Sequence, residues 1–375
     1  MAFTETYLNY DLASGANDGT SEANAWQDFA TCLAAVSAGD RVNVKRTSSR
    51  ISDINTSWNV SGTASAPIHI RAYTSTIGDG GMFEWAKRFQ IPGENVLLEG
   101  FDIEANNTLL LWVNGDMSCA YRCKVVSTAT GGAIVTASDA VLINCYIKAL
   151  SGNSYAVQVY GGSLIGCYVE VPAGAIAANR SAIRFQSSGG RKNNIINCLV
   201  KGNGDADLIG IRVTNDHQRN GGVISNNTIE NCGIGIQLTQ GSGTGKTDLI
   251  VIQNNIIYNG VKGMENLQGT NISTIGHIIN NNAIGNLSGA AYTAMGDWVL
   301  NPITLTSNPF IDTTDYELND ASGGGALCKF LGAIPKQSDP SLAGPTFAYD
   351  RVTGRTNFTS IGGVQPKGAE SSHVF

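Results

Sequence analysis

Eight short segments of the chain fall into one register: GFDI (100–103), RCKV (122–125), NCYI (144–147), GCYV (166–169), NCLV (197–200), NNTI (226–229), NNII (254–257) and NNAI (281–284). Successive starts are 22, 22, 22, 31, 29, 28 and 27 residues apart. The first position is Gly or Asn in seven of the eight. The second is Phe101, then Cys four times, then Asn three times, and the fourth is always Ile or Val. Two residues ahead of each segment stands another apolar residue: Leu98, Ala120, Leu142, Leu164, Ile195, Ile224, Ile252 and Ile279. Self-similarity at such a period means a solenoid. β-Branched content without long helical periodicity makes it a β-solenoid. A single turn cannot bury its own apolar face; stacking turns ~4.8 Å apart completes both the core and the backbone ladder.

The repeat assigns roles to its positions. Gly and Asn tolerate a left-handed backbone, so the first position marks a bend. Cys123, Cys145, Cys167 and Cys198 read as an internal stack of reduced thiols, because side chains that point the same way have poor disulfide geometry. Asn227, Asn255 and Asn282 continue that column and read as a hydrogen-bonded ladder. Ahead of the repeat, Asn24-Ala25-Trp26-Gln27 resembles a capping box, and Trp26, Phe29, Ala30, Leu33 and Val36 share a helical face closed by Gly39. That predicts a short helix over the open end of the solenoid, where bare strand edges invite pairing. The expected organisation is an N-terminal cap (1–40), a solenoid of about 9–11 coils (41–320) and an irregular C-terminal extension (321–375) that leaves the turn pattern.

Composition removes several function classes. Only 14% of residues are charged and the net charge is −6, without a basic run, so nucleic acid is not an expected partner. No apolar stretch approaches a membrane span, and MAFTETYLNYD has neither a basic nor an apolar leader region, so no secretion signal is visible and cytoplasmic synthesis is expected. The eight cysteines contain no CxxC and no histidine sits beside the nearest pair, Cys119 and Cys123, so neither a zinc site nor another metal or cofactor is expected. GSGTGKT (241–247) imitates a phosphate-binding loop. Its opening glycine is Gln240, however, and Asp248-Leu249-Ile250-Val251-Ile252 continues as a strand where a phosphate loop needs a helix N-terminus. It reads as a loop inserted in one coil.

Polar residues recur once per turn. In AVQVY, AIRFQ, GIRVT, GIQLT and GVKGM an outward side chain adjoins an inward aliphatic one, which predicts an outer-face row of Gln158, Arg184, Arg212, Gln237 and Lys262. Arg184 and Arg212 would be stacked neighbours needing solvent or an acidic partner, and Asp205, Asp207 and Asp216 flank them. The densest polar cluster is GDADLIGIRVTNDHQRNGG (204–222). If the chain is an enzyme, its catalytic candidates are Asp207, Arg212, Asp216 and His217, with Asp205 and Arg219 beside them. The cluster lacks repeated acidic pairs on consecutive turns. Trp58, Trp85 and Trp112, spaced by 27 and 27 residues, suit either a carbohydrate-stacking strip or core packing. His69 lies in an Ile-His-Ile-Arg strand and reads as turn-exposed or packed, His277 lacks a partner acid nearby in sequence, His373 stands near the end, and neither H-E-x-x-H nor G-x-S-x-G occurs.

NDGTSEANAWQDFATCLAAVSAGDRVNVK, SGTASAPIHIRAY, VLLEGFDIEA, NPFIDTTDYEL and the closing DRVTGRTNFTSIGGVQ resemble successive segments of right-handed parallel β-helix proteins of the pectate-lyase-like superfamily. The resemblance covers nearly the whole chain and implies an all-β fold, a single right-handed parallel β-helix. For function it implies a spread of lyases, hydrolases, adhesins and phage virion proteins. Lyases of this kind use carboxylates that hold Ca²⁺ plus an Arg or Lys base; hydrolases use clustered Asp residues. The expectation is a non-enzymatic bacteriophage virion protein, a capsid decoration, cement or tail-associated β-helix assembled in the host cytoplasm, with glycan binding on its outer face. Its partners would be capsid or tail subunits, further copies of itself, or a polysaccharide. The alternative is a polysaccharide lyase or glycoside hydrolase, and only the lyase would call for Ca²⁺.

Overall fold

In the computed structural model each coil runs through three flat walls joined by turns. The structure describes residues 3–52, 55–106, 109–128, 133–149, 155–171, 180–186, 193–215, 222–240, 250–267, 278–295, 298–312, 316–328, 347–350 and 355–358. One coil serves as a pattern. Val141–Ile143 lies in the first sheet, Tyr146–Ala149 in the second and Tyr155–Tyr160 in the third, and Ser163–Ile165 returns to the first sheet beside Val141–Ile143. Repeated along the chain, this builds parallel sheets of 12, 10 and 10 strands. The protein is a parallel β-helix, mostly β with few helices.

The bend between the first and second sheets falls at the first position of the repeat. Gly100, Asn144, Gly166, Asn197, Asn226, Asn254 and Asn281 all have φ between 51° and 75°, and the one side chain of another type, Arg122, has φ 52°. Arg122 is held there by the Gly80 carbonyl, 3.1 Å from its Nη2, and faces Glu99 at 3.9 Å. Immediately after the bend the chain points inward, and the next side chain is Cys123, Cys145, Cys167 or Cys198, each at most 2% exposed. These thiols reach back to the preceding coil: Cys145 Sγ donates to the Ala120 carbonyl at 3.5 Å and Cys167 Sγ to that of Leu142 at 3.4 Å. Asn227, Asn255 and Asn282 do the same more strongly, donating from Nδ2 to the carbonyls of Ile195, Ile224 and Ile252 at 2.9–3.0 Å. Their Oδ1 atoms in turn accept the backbone N–H of Cys198, Asn227 and Asn255 at 2.8–3.0 Å. One column therefore serves as core in its first half and as a polar ladder in its second. All eight cysteines are free and buried, and burial pushes the thiols of Cys145 and Cys198 up and that of Cys232 to about 12.

The N-terminal cap differs from the expected one in register. Its helix α1 spans Phe29–Ala35, and the N-cap is Asp28, whose side chain accepts the Thr31 N–H at 2.7 Å. Asp28 out-competes Asn24 because a carboxylate also suits the positive end of the helix dipole. Asn24 instead ends a single 3₁₀ turn, Glu22–Asn24. Phe29 drops from α1 into the open end of the core, its ring 5.4 Å from Trp85, 5.5 Å from Phe89 and 6.2 Å from Trp58. The first strand, Thr4–Leu8, precedes this helix and pairs with Asp40–Lys45, so part of the 1–40 region belongs to the first sheet.

At the other end, residues 306–312 and 316–328 lie over the outer face of the second sheet. Phe310, Tyr316 and Cys328 pack with Tyr168, Leu199, Ile256, Ala283 and Leu305 in a small core of their own. Beneath them the Tyr316 hydroxyl donates to Glu230 at 2.5 Å, and Lys201 lies over the Tyr316 ring. Further on, Phe347–Asp350 and Arg355–Phe358 pair as an antiparallel hairpin.

Candidate functional site on the third sheet

The outer face of the third sheet carries the row that the sequence singles out. Register places Gln158 beside Arg184, Arg184 beside Arg212 and Arg212 beside Gln237. The fifth member is a correction. The residue beside Gln237 is Glu265, and Lys262 pairs with Ile234 at the start of its strand. The cause lies in the core. Each row residue follows a small residue and an aliphatic one, Ala-Val-Gln, Ala-Ile-Arg, Gly-Ile-Arg, Gly-Ile-Gln and Gly-Met-Glu, ending at 158, 184, 212, 237 and 265. A Cβ on Gly210, Gly235 or Gly263 would lie 2.5–2.8 Å from a methyl of Ile229, Ile257 or Ile284 across the coil. Matching GVKGM by its first glycine takes Gly260, whereas the packing requires Gly263. Lys262 still reaches the row, because its ammonium pairs with the Glu265 carboxylate.

In the other direction the row continues through Thr136 to Trp112 and Gln90. Trp112 lies between the buried Leu111 and Val113, so its ring faces outward and is partly exposed. Trp58 and Trp85 are fully buried beside Phe29, so the three tryptophans do not form a strip. Trp85 lies on the second sheet, and Trp58, which follows the third-sheet strand Thr56–Ser57, points inward where Trp112 of the same sheet points outward. By register the row runs Gln90, Trp112, Thr136, Gln158, Arg184, Arg212, Gln237 and Glu265, one residue per coil, at ~4.8 Å per step.

The row is anchored from within the sheet. Gln158 donates to Gln186 Oε1 at 2.8 Å and also to the Tyr160 hydroxyl. Arg184 Nε donates to Thr214 Oγ1 at 3.3 Å, and its guanidinium stacks 5.3 Å from the centroid of Tyr155. Gln237 Nε2 donates to Glu265 at 2.9 Å. Burial would raise the Glu265 carboxyl, but the bonds from Lys262 and Gln237 and the Lys262 charge hold it below its ordinary value. Glu265 is therefore an anion at neutral pH, with a cation and an amide on its two sides.

Of the three acidic residues expected to flank the arginines, two are described. Asp205 and Asp207 sit in the turn before Leu208–Asn215, where Asp205 Oδ1 accepts the Asp207 N–H at 2.9 Å. From Asp207, in the turn, to Arg212, midway along the strand, the extended chain covers ~16 Å, so their side chains are well apart. Asp216, His217 and Arg219 lie outside the described residues, as do His277, His373 and GSGTGKT. His69 does have an acid partner, one coil away: Glu99 lies 2.7 Å from its Nε2 on the outer face of the first sheet. Among the described residues no group of three or more His, Cys, Asp or Glu is arranged to hold a metal ion, and no helix is long and apolar enough to cross a membrane.

No family model matches the sequence, and no curated protein matches it. Solved structures do. Pectate lyase Pel9A superposes with a TM-score of 0.60 over 92% of this chain and 94% of that one, at 15% identity. A rhamnogalacturonan lyase gives 0.44 over 83% and 90%, at 12% identity. The PL6 alginate lyase AlyGC gives 0.45 over 92% of this chain and 60% of that one, at 11% identity. At these identities the similarity to Pel9A establishes a shared parallel β-helix fold.

Proposed function

We propose that this chain is a non-enzymatic surface component of a bacteriophage virion that holds an elongated anionic polysaccharide along the outer face of its third sheet. The observation that carries the binding reading is the pairing of Arg184 with Arg212 on adjacent coils. Two guanidinium groups one rung apart concentrate positive charge on adjacent coils, and the carboxylates of a polyuronate, one per sugar ring, offer bidentate partners at a comparable repeat. Trp112 supplies a stacking face further along the row, while Gln158 and Gln237, only 5% and 3% exposed, brace the arginines from within the sheet. The virion setting is supported by eight buried thiols, which suit folding and assembly in a reducing cytoplasm.

The enzymatic reading has one observation in its favour. Lys262 and Glu265 place a base and a carboxylate at the end of the same row, on the fold shared with a pectate lyase. One experiment separates the two. The purified chain is incubated with polygalacturonate and alginate, with and without Ca²⁺, while retention is followed by affinity electrophoresis and unsaturated products by ultraviolet absorbance. Retention without new absorbance is expected. Arg184→Gln and Arg212→Gln should each weaken retention about tenfold, the equivalent of one charge-assisted hydrogen bond, and added salt should weaken it further. New absorbance would establish a lyase, and unchanged retention in both variants would remove the row from the binding site.

A further inference from the structure

A cleft of about 370 Å³ opens on a different wall, between the turn 74–82 and the N-terminal end of the second sheet. Its floor is one column of that sheet, Glu84 beside Asp102 beside Lys124. Arg46 and Met82 complete the lining. The turn itself is rigid: the Asp79 carboxylate accepts the N–H groups of Thr74, Ser75, Thr76 and Gly81 at 2.7–3.2 Å. Asp79 is thus turned into its own loop, which leaves two carboxylates and two cations to face the cleft.

Those four form two pairs, Arg46 with Glu84 at 2.5 Å and Lys124 with Asp102 at 3.1 Å. Each pair keeps spare capacity. The Lys124 ammonium has three N–H groups and the Arg46 guanidinium five, and their side chains remain 31% and 47% exposed. Behind them Arg50 also reaches Asp102 at 3.3 Å and Glu84 at 3.9 Å, and the Glu84 side chain stays 25% exposed and that of Asp102 12%. A free anion entering here meets Glu84 and Asp102, and a free cation meets Arg46 and Lys124. A neutral hydroxyl can donate to the carboxylate and accept from the cation of one pair, so a vicinal diol satisfies both members without a net charge penalty. The volume lies at the small end of ligand pockets, with room for one or two sugar rings and Met82 against a C–H face.

We propose that this cleft binds a neutral, hydroxyl-rich ligand, a mono- or disaccharide, independently of the row on the third sheet. The test uses the full chain, a panel of neutral mono- and disaccharides and galacturonate as the charged comparison, read by saturation-transfer NMR and calorimetry. The expected result is saturable binding of at least one neutral sugar at about millimolar affinity, insensitive to salt. Arg46→Met and Lys124→Met, checked for wild-type melting, should each weaken it about tenfold. Absence of saturable binding across the panel would overturn the proposal. So would wild-type affinity in both folded variants, or a salt-sensitive preference for galacturonate that these variants abolish.

Discussion

Asn255 shows how much one side chain does inside a solenoid. It donates twice, to the Ile224 carbonyl and to Asn282 Oδ1, while its own Oδ1 accepts two bonds from Asn227. With none of it exposed to water, each lost bond leaves a buried group unsatisfied. Asn255→Ala should therefore cost about 3 kcal/mol, read as a lower denaturant midpoint at unchanged slope. The residues equivalent to it in earlier coils are cysteines, whose thiols donate to the same kind of carbonyl more weakly. The change from Cys to Asn is plain in the sequence, and so is the left-handed bend before it, because both depend on one residue and its immediate neighbours. The identity of the fifth row residue was not legible in the same way. Lys262 and Glu265 both follow a glycine and an aliphatic residue, and only the isoleucine across the coil distinguishes Gly260 from Gly263.

At the scale of elements, the C-terminal strap depends on a buried carboxyl. Glu230 is 3% exposed and lies beneath Tyr316. Burial raises its pKa, while the Tyr316 hydroxyl and Lys201 oppose that rise only in part. The sign follows from the raised value. The folded state binds the proton more tightly than the unfolded chain, so this group stabilises the fold at low pH, and the contribution is lost as pH rises through its folded pKa. Glu230→Gln keeps an acceptor for Tyr316 without a charge. Its stability relative to wild type should increase from pH 4.5, the ordinary glutamate value, toward neutrality, as measured by paired denaturant titrations. An equal difference at all pH values would mean that Glu230 does not titrate in this range. The strap illustrates a second limit of sequence reading. The departure from the repeat expected at 321 falls inside the strap, and the landing place was not legible, because the apolar patch it covers consists of outward side chains from five separate coils.

At the scale of the whole molecule, stability passes from coil to coil, and α1 protects the end from which that stacking begins. Phe29 anchors it against Trp58, Trp85 and Phe89. Phe29→Ala should cost about 3–5 kcal/mol through the cavity it leaves, and hydrogen exchange should rise first in Asp40–Lys45 and Ile68–Tyr73, the coils nearest the cap. Uniform exchange along the solenoid would show that the cap does not govern its end. The sequence by itself determined the coil: its length, its left-handed corner, its inward column and the class of sheet. Each of these follows from a local backbone preference repeated at one period. Only the tertiary structure decided which outward residues become neighbours, since loops of unequal length separate them and packing across the coil sets the register. The same holds for the tryptophans, whose equal spacing put two in the core and one on the outer face, and for the charged cleft, whose lining comes from segments up to 78 residues apart, Arg46 to Lys124. Sequence distance carries no record of those meetings; the stacking of one coil on the next creates them.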